Sequence, residues 1–325
     1  MVSLLLASSE DPASMNLYDE LLRLTDWNKP QEMAHGLVHN HAIYPVQILL
    51  LNGINHVLAN NIDMIHEKEA NVEIEEVLVL SKHVSKSQIP ALTIHVIGLP
   101  GQAPFGEKGL SGGFNGRVVP PSPRFADLFR TLAIFAADRG IDSEFDITLE
   151  TTHHGPFLSR PTAYLEIGSA KSHWTRRDAA EVWVMAISKC LGLDGNKPLG
   201  SWKGNGDVML CLGGGHYAPR HQSIVSQTNL WLGHILANYS LVFDDAIEGK
   251  GSTGNWKNSV ENSLKATVEA FPGGEIFAHL DRKSFKGWQR TALIEFLDER
   301  NIPVYRGKEI LLLHKHKSSN DAPST

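Results

Sequence analysis

The sequence predicts an α/β protein, a three-layer α/β/α sandwich built on a mixed sheet. Three observations carry this. Short apolar runs alternate along the chain with longer stretches of helical period. No apolar run of 18 residues suggests a membrane span. The 325 residues, 42% hydrophobic, suffice to bury a large core. That length fits one catalytic domain over 1–315, with 1–80 as an optional N-terminal lobe, and a disordered polar tail over 316–325.

Taken in order, the apolar start Met1–Ser8 lacks a basic n-region and is closed after few residues by Glu10 and Asp11. It reads as a buried strand over 2–7 rather than a signal peptide. Helical period follows over 14–24, then strands over 46–52, 76–81 and 92–98. Residues 99–123 gather Leu99-Pro100-Gly101, Ser111-Gly112-Gly113 and Pro120-Pro121-Ser122-Pro123, a loop long enough to serve as a lid or binding loop. A helix over 124–138 precedes strands over 145–151 and 163–168, a helix over 173–191 and a second glycine-rich loop over 195–206. Strands over 207–212, 239–243, 275–279 and 302–305 alternate with helices over 256–270 and 284–300. His234, behind Leu230-Trp231-Leu232-Gly233, is placed on a helix.

Net charge is −6 and unevenly spread. Residues 1–80 hold 12 acidic and 3 basic side chains, whereas 276–325 hold 6 and 9. A nonspecific nucleic-acid binder would be basic throughout, so any RNA contact is local. Two sets mix cations with an aromatic ring: Arg176 and Arg177 beside Trp174, and Arg282, Lys283 and Lys286 beside Trp288. Only Cys190 and Cys211 occur, as expected of reduced core thiols in a cytoplasmic protein. A monomer is compatible with this composition.

Chemistry concentrates at strand ends. Val208–Leu212 empties into Gly213-Gly214-Gly215-His216-Tyr217-Ala218-Pro219-Arg220, where successive glycine amides make a nest suited to an oxyanion or phosphate. Ile147–Thr152 runs into His153-His154-Gly155-Pro156, and of two adjacent imidazoles only one is expected to face a given site. Glu166 stands inside the apolar strand Tyr164–Gly168, where a carboxylate needs an ion-pair partner or a metal. His83 and His95 sit late in apolar strands, converging on the carboxyl edge of the sheet. Among the other histidines, of 16 in all, His35, His39 and His41 alternate but lack such support.

Asp11-Pro12-Ala13-Ser14, Ser81-Lys82-His83, Thr152-His153-His154-Gly155-Pro156, Leu165-Glu166-Ile167-Gly168 and the GGGHYAPR segment stand in the order found in archaeal and plant D-aminoacyl-tRNA deacylases, which this chain resembles over residues 1 to 290. The resemblance implies a core like those of the phosphorylase and peptidyl-tRNA hydrolase folds. It also implies a zinc-dependent hydrolase cutting the ester between a D-amino acid and the tRNA 3′ end. One departure is clear: the family's His-Ser-Ser reads His83-Val84-Ser85 here, so position 84 has no hydroxyl.

Such chemistry needs a water made nucleophilic and a place for negative charge on the carbonyl oxygen. On this reading His154, Glu166 and His216 hold Zn²⁺, and His83 or His95 completes the site or acts as general base. Gly213, Gly214, Gly215, Tyr217 and Arg220 bind substrate. Another metal hydrolase or phosphorylase on the same fold, or a non-catalytic RNA or small-molecule binder, would keep the same cleft.

Overall fold

The computed structural model describes residues 1–101, 112–244 and 253–314. Of the loop expected over 99–123, residues 102–111 lie outside the described residues, as does the tail expected over 316–325. In chain order the strands are β1 (Val2–Ser8), β2 (Gln31–Met33), β3 (Gly36–Asn40), β4 (Val46–Leu51), β5 (Ile74–Lys82), β6 (Ala91–His95), β7 (Gly98–Leu99), β8 (Arg117–Val118), β9 (Asp146–Leu149), β10 (Thr162–Gly168), β11 (Asp207–Leu212), β12 (Trp231–Leu236), β13 (Glu275–Leu280) and β14 (Val304–Tyr305). The helices are α1 (Pro12–Leu24), α2 (Ile62–Ala70), α3 (Phe125–Arg139), α4 (Lys171–Trp174), α5 (Arg177–Leu191), α6 (Pro219–Val225), α7 (Trp256–Ala270), α8 (Gly287–Asp298) and α9 (Gly307–His314).

Most strands fall into two sheets. The larger is mixed, in the order β2-β3-β4-β1-β5-β10-β6-β9. Its centre is parallel, but β6 runs against β10 and carries β9 parallel at the edge. Residues 1–80 build no sheet of their own, because β5 pairs with β10 over Val77–Lys82. The smaller sheet, β12-β11-β13-β14, is parallel throughout.

Alternation of side chains along each strand sorts the large sheet into two faces. Leu5 and Ala7, Leu92 and Ile94, and Leu165 and Ile167 pack with Leu17 of α1, Leu132 of α3 and Trp183 of α5. Leu4, Leu6, Val77, Val79 and Tyr164 point the other way, toward Ile62 of α2. Ser81, Thr93, His95 and Glu166 share that second face by register, so polar groups meet on the face of the sheet. Met209 and Cys211 extend the main cluster into the small sheet, whose opposite face packs Leu210 and Leu212 on α7 and α8.

Three expectations change. Residues 173–191 form α4 and α5, broken at Thr175, where a single helix was expected. Residues 239–243 form no strand and begin inside a 3₁₀ turn at Asn238–Ser240. His234 lies on strand β12 rather than on a helix. A short buried apolar run has the same composition as strand or helix, and its sheet partner, here Met209 opposite Leu232, decides.

Candidate functional site

Seven titratable side chains gather on the second face of the large sheet: His83 past β5, His95 on β6, Glu150, His153 and His154 past β9, Glu166 on β10 and His216 past β11. Strand direction explains why this is no carboxyl-edge cleft. β5 and β10 run opposite to β6 and β9, so their ends lie at different edges, and the cluster forms across the face between them. The segment after β9 is stitched to both sheets: Glu150 N–H donates to Ile94 O at 3.0 Å, Thr151 N–H to His216 O at 2.9 Å and Thr152 N–H to Ile235 O at 2.7 Å. Trp183 on α5 donates its indole N–H to Glu166 O at 3.0 Å and fixes β10 from the opposite face.

Two buried carboxylates organise the imidazoles. Glu150 lies 3.1 Å from His83 Nδ1, 3.1 Å from His216 Nε2 and 3.6 Å from His153 Nε2. Glu166 lies 3.4 Å from His83 Nδ1 and 3.7 Å from His95 Nε2, and accepts from Thr93 Oγ1 at 3.0 Å. Burial opposes charge on Glu166, but His83 and then His95 outweigh it and hold its carboxyl well below the usual range. Burial likewise opposes charge on Glu150, which His216 and His83 hold below the usual range. In return His83 and His95 are raised: burial works against their charge, and Glu166 overcomes it. His153 and His154 are pushed down, first by burial and then by His95, His154 to about 3.

The backbone fixes three tautomers. His153 Nδ1 lies 2.7 Å from Thr151 O, His154 Nδ1 2.6 Å from Gly155 O and His95 Nδ1 3.2 Å from Val96 O. A carbonyl oxygen only accepts, so each Nδ1 bears a proton; the neutral rings of His153 and His154 present a lone pair at Nε2, and His95 does so once it gives up the proton that Glu166 favours. These three residues bring one ligating atom each to within 4.8 Å of the others, and His95 Nε2 is buried without a hydrogen bond. Imidazoles anchored through Nδ1 and aimed through Nε2 are how histidines hold a metal, so the donor set fits Zn²⁺. His154 reaches its place at φ +39°, a left-handed conformation held by Gly98 N–H donating to its carbonyl at 2.7 Å. Two further groups, His83–Glu150–His216 and His95–Glu150–Glu166, also have metal-donor spacing.

Behind the cluster, Tyr164 stacks on His95 with ring centres 5.2 Å apart, and its hydroxyl lies 3.3 Å from His56 Nδ1. His56 Nε2 lies 3.4 Å from Asp11 Oδ2. The other Asp11 oxygen caps α1 by accepting from Ala13 and Ser14 N–H at 3.0 and 2.9 Å. The Asp-Pro-Ala-Ser segment is therefore a helix start that also supports the cluster.

The D-aminoacyl-tRNA deacylase family model matches residues 70–305. The chain belongs to that family. It is 40% identical to a D-aminoacyl-tRNA deacylase of Arabidopsis thaliana, covering 94% of this chain and 98% of that one. It is 30% identical to the Methanosarcina mazei D-aminoacyl-tRNA deacylase, over 94% and 92% of the two chains. A crystal structure of a conserved protein of unknown function superposes with TM-score 0.76 and 25% identity, covering 97% of this chain and 99% of that one. The fold is thus shared along almost the whole length.

Of the residues singled out in the sequence, His83, His95, His154, Glu166 and His216 meet in this cluster. His154, Glu166 and His216, expected as one ligand set, fall into three different donor groups. Glu150 and His153 were missed as site members. Glu150 read as the polar side of a half-buried strand, and His153 as the neighbour turned away; the signal was a carboxylate three residues ahead of two imidazoles.

The glycine turn needs correcting. Gly213 N–H already donates to Leu236 O at 2.7 Å and Gly214 N–H to Ser284 Oγ at 2.8 Å, which leaves Gly215 of the expected nest. Tyr217 joins the site, its hydroxyl 3.0 Å from His83 Nε2. Arg220 is paired with Asp281, and Arg176 with Glu144 and Asp178, so their guanidinium groups are engaged within the protein. Arg177 is mostly exposed, 3.4 Å from Glu20. Arg282, Lys283 and Lys286 are exposed, and within the described residues they carry no ion pair. The turn that bears them touches the glycine turn through Ser284. Val84, where the family has a hydroxyl, is exposed.

Proposed function

We propose that this chain is a D-aminoacyl-tRNA deacylase, hydrolysing the ester between a D-amino acid and the 3′ end of tRNA. The observation that carries the reading is the convergence of two carboxylates and five imidazoles on one buried sheet face in a chain of this family. His95, His153 and His154 would hold Zn²⁺, with Glu166 beside them; this replaces the ligand set His154, Glu166 and His216. A zinc ion bound there would make water nucleophilic near neutral pH and polarise the ester carbonyl.

The remaining work falls to the chain's own groups. His216, one quarter exposed at the mouth, moves the proton between the attacking water and the departing 3′ oxygen, while Glu150 behind it holds the imidazole in place. Tyr217, hydrogen-bonded to His83, and the Gly215 amide receive the developing negative charge. Arg282, Lys283 and Lys286 meet the tRNA backbone, supported by their exposure and by the touch of their turn on the glycine turn. The main apolar cluster runs through both sheets, which supports one catalytic domain. Two buried thiols support a cytoplasmic location, and no described helix is long and apolar enough to cross a membrane.

The test is turnover of D-Tyr-tRNA against L-Tyr-tRNA and the ethyl ester of free D-tyrosine. The proposal expects cleavage of the first alone. Equal cleavage of the two tRNAs makes it a deacylase without stereoselectivity, cleavage of the ethyl ester makes it a general esterase, and no turnover leaves a binding protein.

A further inference from the structure

A cavity of about 330 Å³ lies beside the cluster, lined by Ile89, Ala91, Asp146, Thr148, Tyr217 and Pro219 among others. Tyr217 joins it to the site, because its ring is a wall of the cavity and its hydroxyl reaches His83. So does β9. Asp146 and Thr148 share one side of that strand, and Glu150 follows two residues beyond Thr148, about 7 Å farther along the chain.

The walls are largely satisfied within the protein. Thr148 Oγ1 donates to Gln222 Oε1 at 3.0 Å, and Gln222 further bonds the main chain of Leu149 and Ile147. What faces the space is mainly aliphatic and aromatic surface, with Ser87 and Asp146 among its polar groups. Asp146 stands exposed at its edge and, among the described residues, its carboxylate has no ion pair or hydrogen bond.

We propose that this cavity holds the terminal adenosine of the tRNA, an inference that rests on the deacylase reading. The base would lie against Tyr217 between Ile89 and Pro219, with Asp146 accepting from an exocyclic amine. A stacking surface with one acceptor suits adenine, since a purine offers the larger π-face and its 6-amino group, which hypoxanthine lacks, supplies the donor. A carboxylate at the mouth disfavours a phosphate there. The volume exceeds what an amino-acid side chain fills and accommodates a nucleoside. Whatever the amino acid, the alcohol of the scissile ester is this adenosine, and a base held on the Tyr217 ring lies beside the cluster that the Tyr217 hydroxyl reaches.

The test uses adenosine and inosine as probes, which differ at the 6-amino group. Adenosine should inhibit D-Tyr-tRNA cleavage competitively and give saturation-transfer NMR signals with the free protein, with inosine at least tenfold weaker in both. Ile89→Glu, on an exposed loop, and Asp146→Ala should weaken adenosine binding and raise KM about equally for D-Ala-tRNA and D-Trp-tRNA. Equal binding of the two nucleosides, or of neither, overturns the assignment. So do variants that impair D-Trp-tRNA and spare D-Ala-tRNA, which would make the cavity a side-chain pocket. Because the NMR measurement needs no turnover, it stands even if the deacylase reading fails.

Discussion

His216 is held by Glu150 from one side and borne on a glycine turn from the other, yet it adds little to the core. His216→Ala should therefore lower single-turnover deacylation by about 10² to 10⁴-fold and leave the melting temperature almost unchanged. An active but destabilised variant would remove it from the chemistry. Glu166 differs, being buried against two imidazoles. Glu166→Gln removes the charge that sustains them, so zinc content and thermal stability should fall together; a variant with full zinc and wild-type melting would contradict this account of its role. Single residues in glycine-rich or apolar strand-end settings were legible in the sequence. Glu150 and His153 were not, because their importance comes from neighbours on β6 and β10 that are distant in the chain.

For the elements, the glycine turn and the basic turn against it make separate claims. Gly213 has φ +98°, and a Cβ there would stand 2.8 Å from the Phe285 ring, whereas a Cβ on Gly215 meets nothing within 4 Å. Gly213→Ala should lower the melting temperature by several degrees and Gly215→Ala should not, as thermal unfolding of the two variants will show. Neutralising Arg282, Lys283 and Lys286 should flatten the salt dependence of tRNA binding by about 0.7 in log–log slope for each phosphate that is no longer neutralised, with turnover at saturating tRNA retained. An unchanged slope would turn attention to Arg177. The main strands and the longest helices were legible because periodicity is local. β12 was read as a helix and α2 and α6 were not found, since a short run takes its conformation from what it packs against.

Acid should weaken the whole molecule through buried neutral imidazoles. Burial pushes His221 down to about 3, His279 to about 4 and His234 to about 3, with His279 adding repulsion at His221. His221 and His279 face each other through Nδ1 atoms 2.8 Å apart, and His221 Nε2 lies 3.2 Å from Gly213 O, behind the turn that carries His216. Each folded value lies below the unfolded one near 6.5, so the unfolded chain takes up protons first as the pH falls. The stability is complete above about pH 6.5 and is lost progressively toward pH 4. Melting temperatures at pH 7.5, 6 and 5 should fall in that order, and His221→Asn should reduce the slope; a flat profile would mean that these rings titrate in the fold as they do in the unfolded chain.

The central claim is that histidines on one sheet face hold a metal on which D-aminoacyl ester hydrolysis depends. The most direct test follows single-turnover cleavage of D-Tyr-tRNA in protein stripped by a strong chelator, with zinc content measured before and after its return. Cleavage should vanish with the metal and recover with added Zn²⁺. Full activity in protein shown by elemental analysis to be metal-free would contradict it.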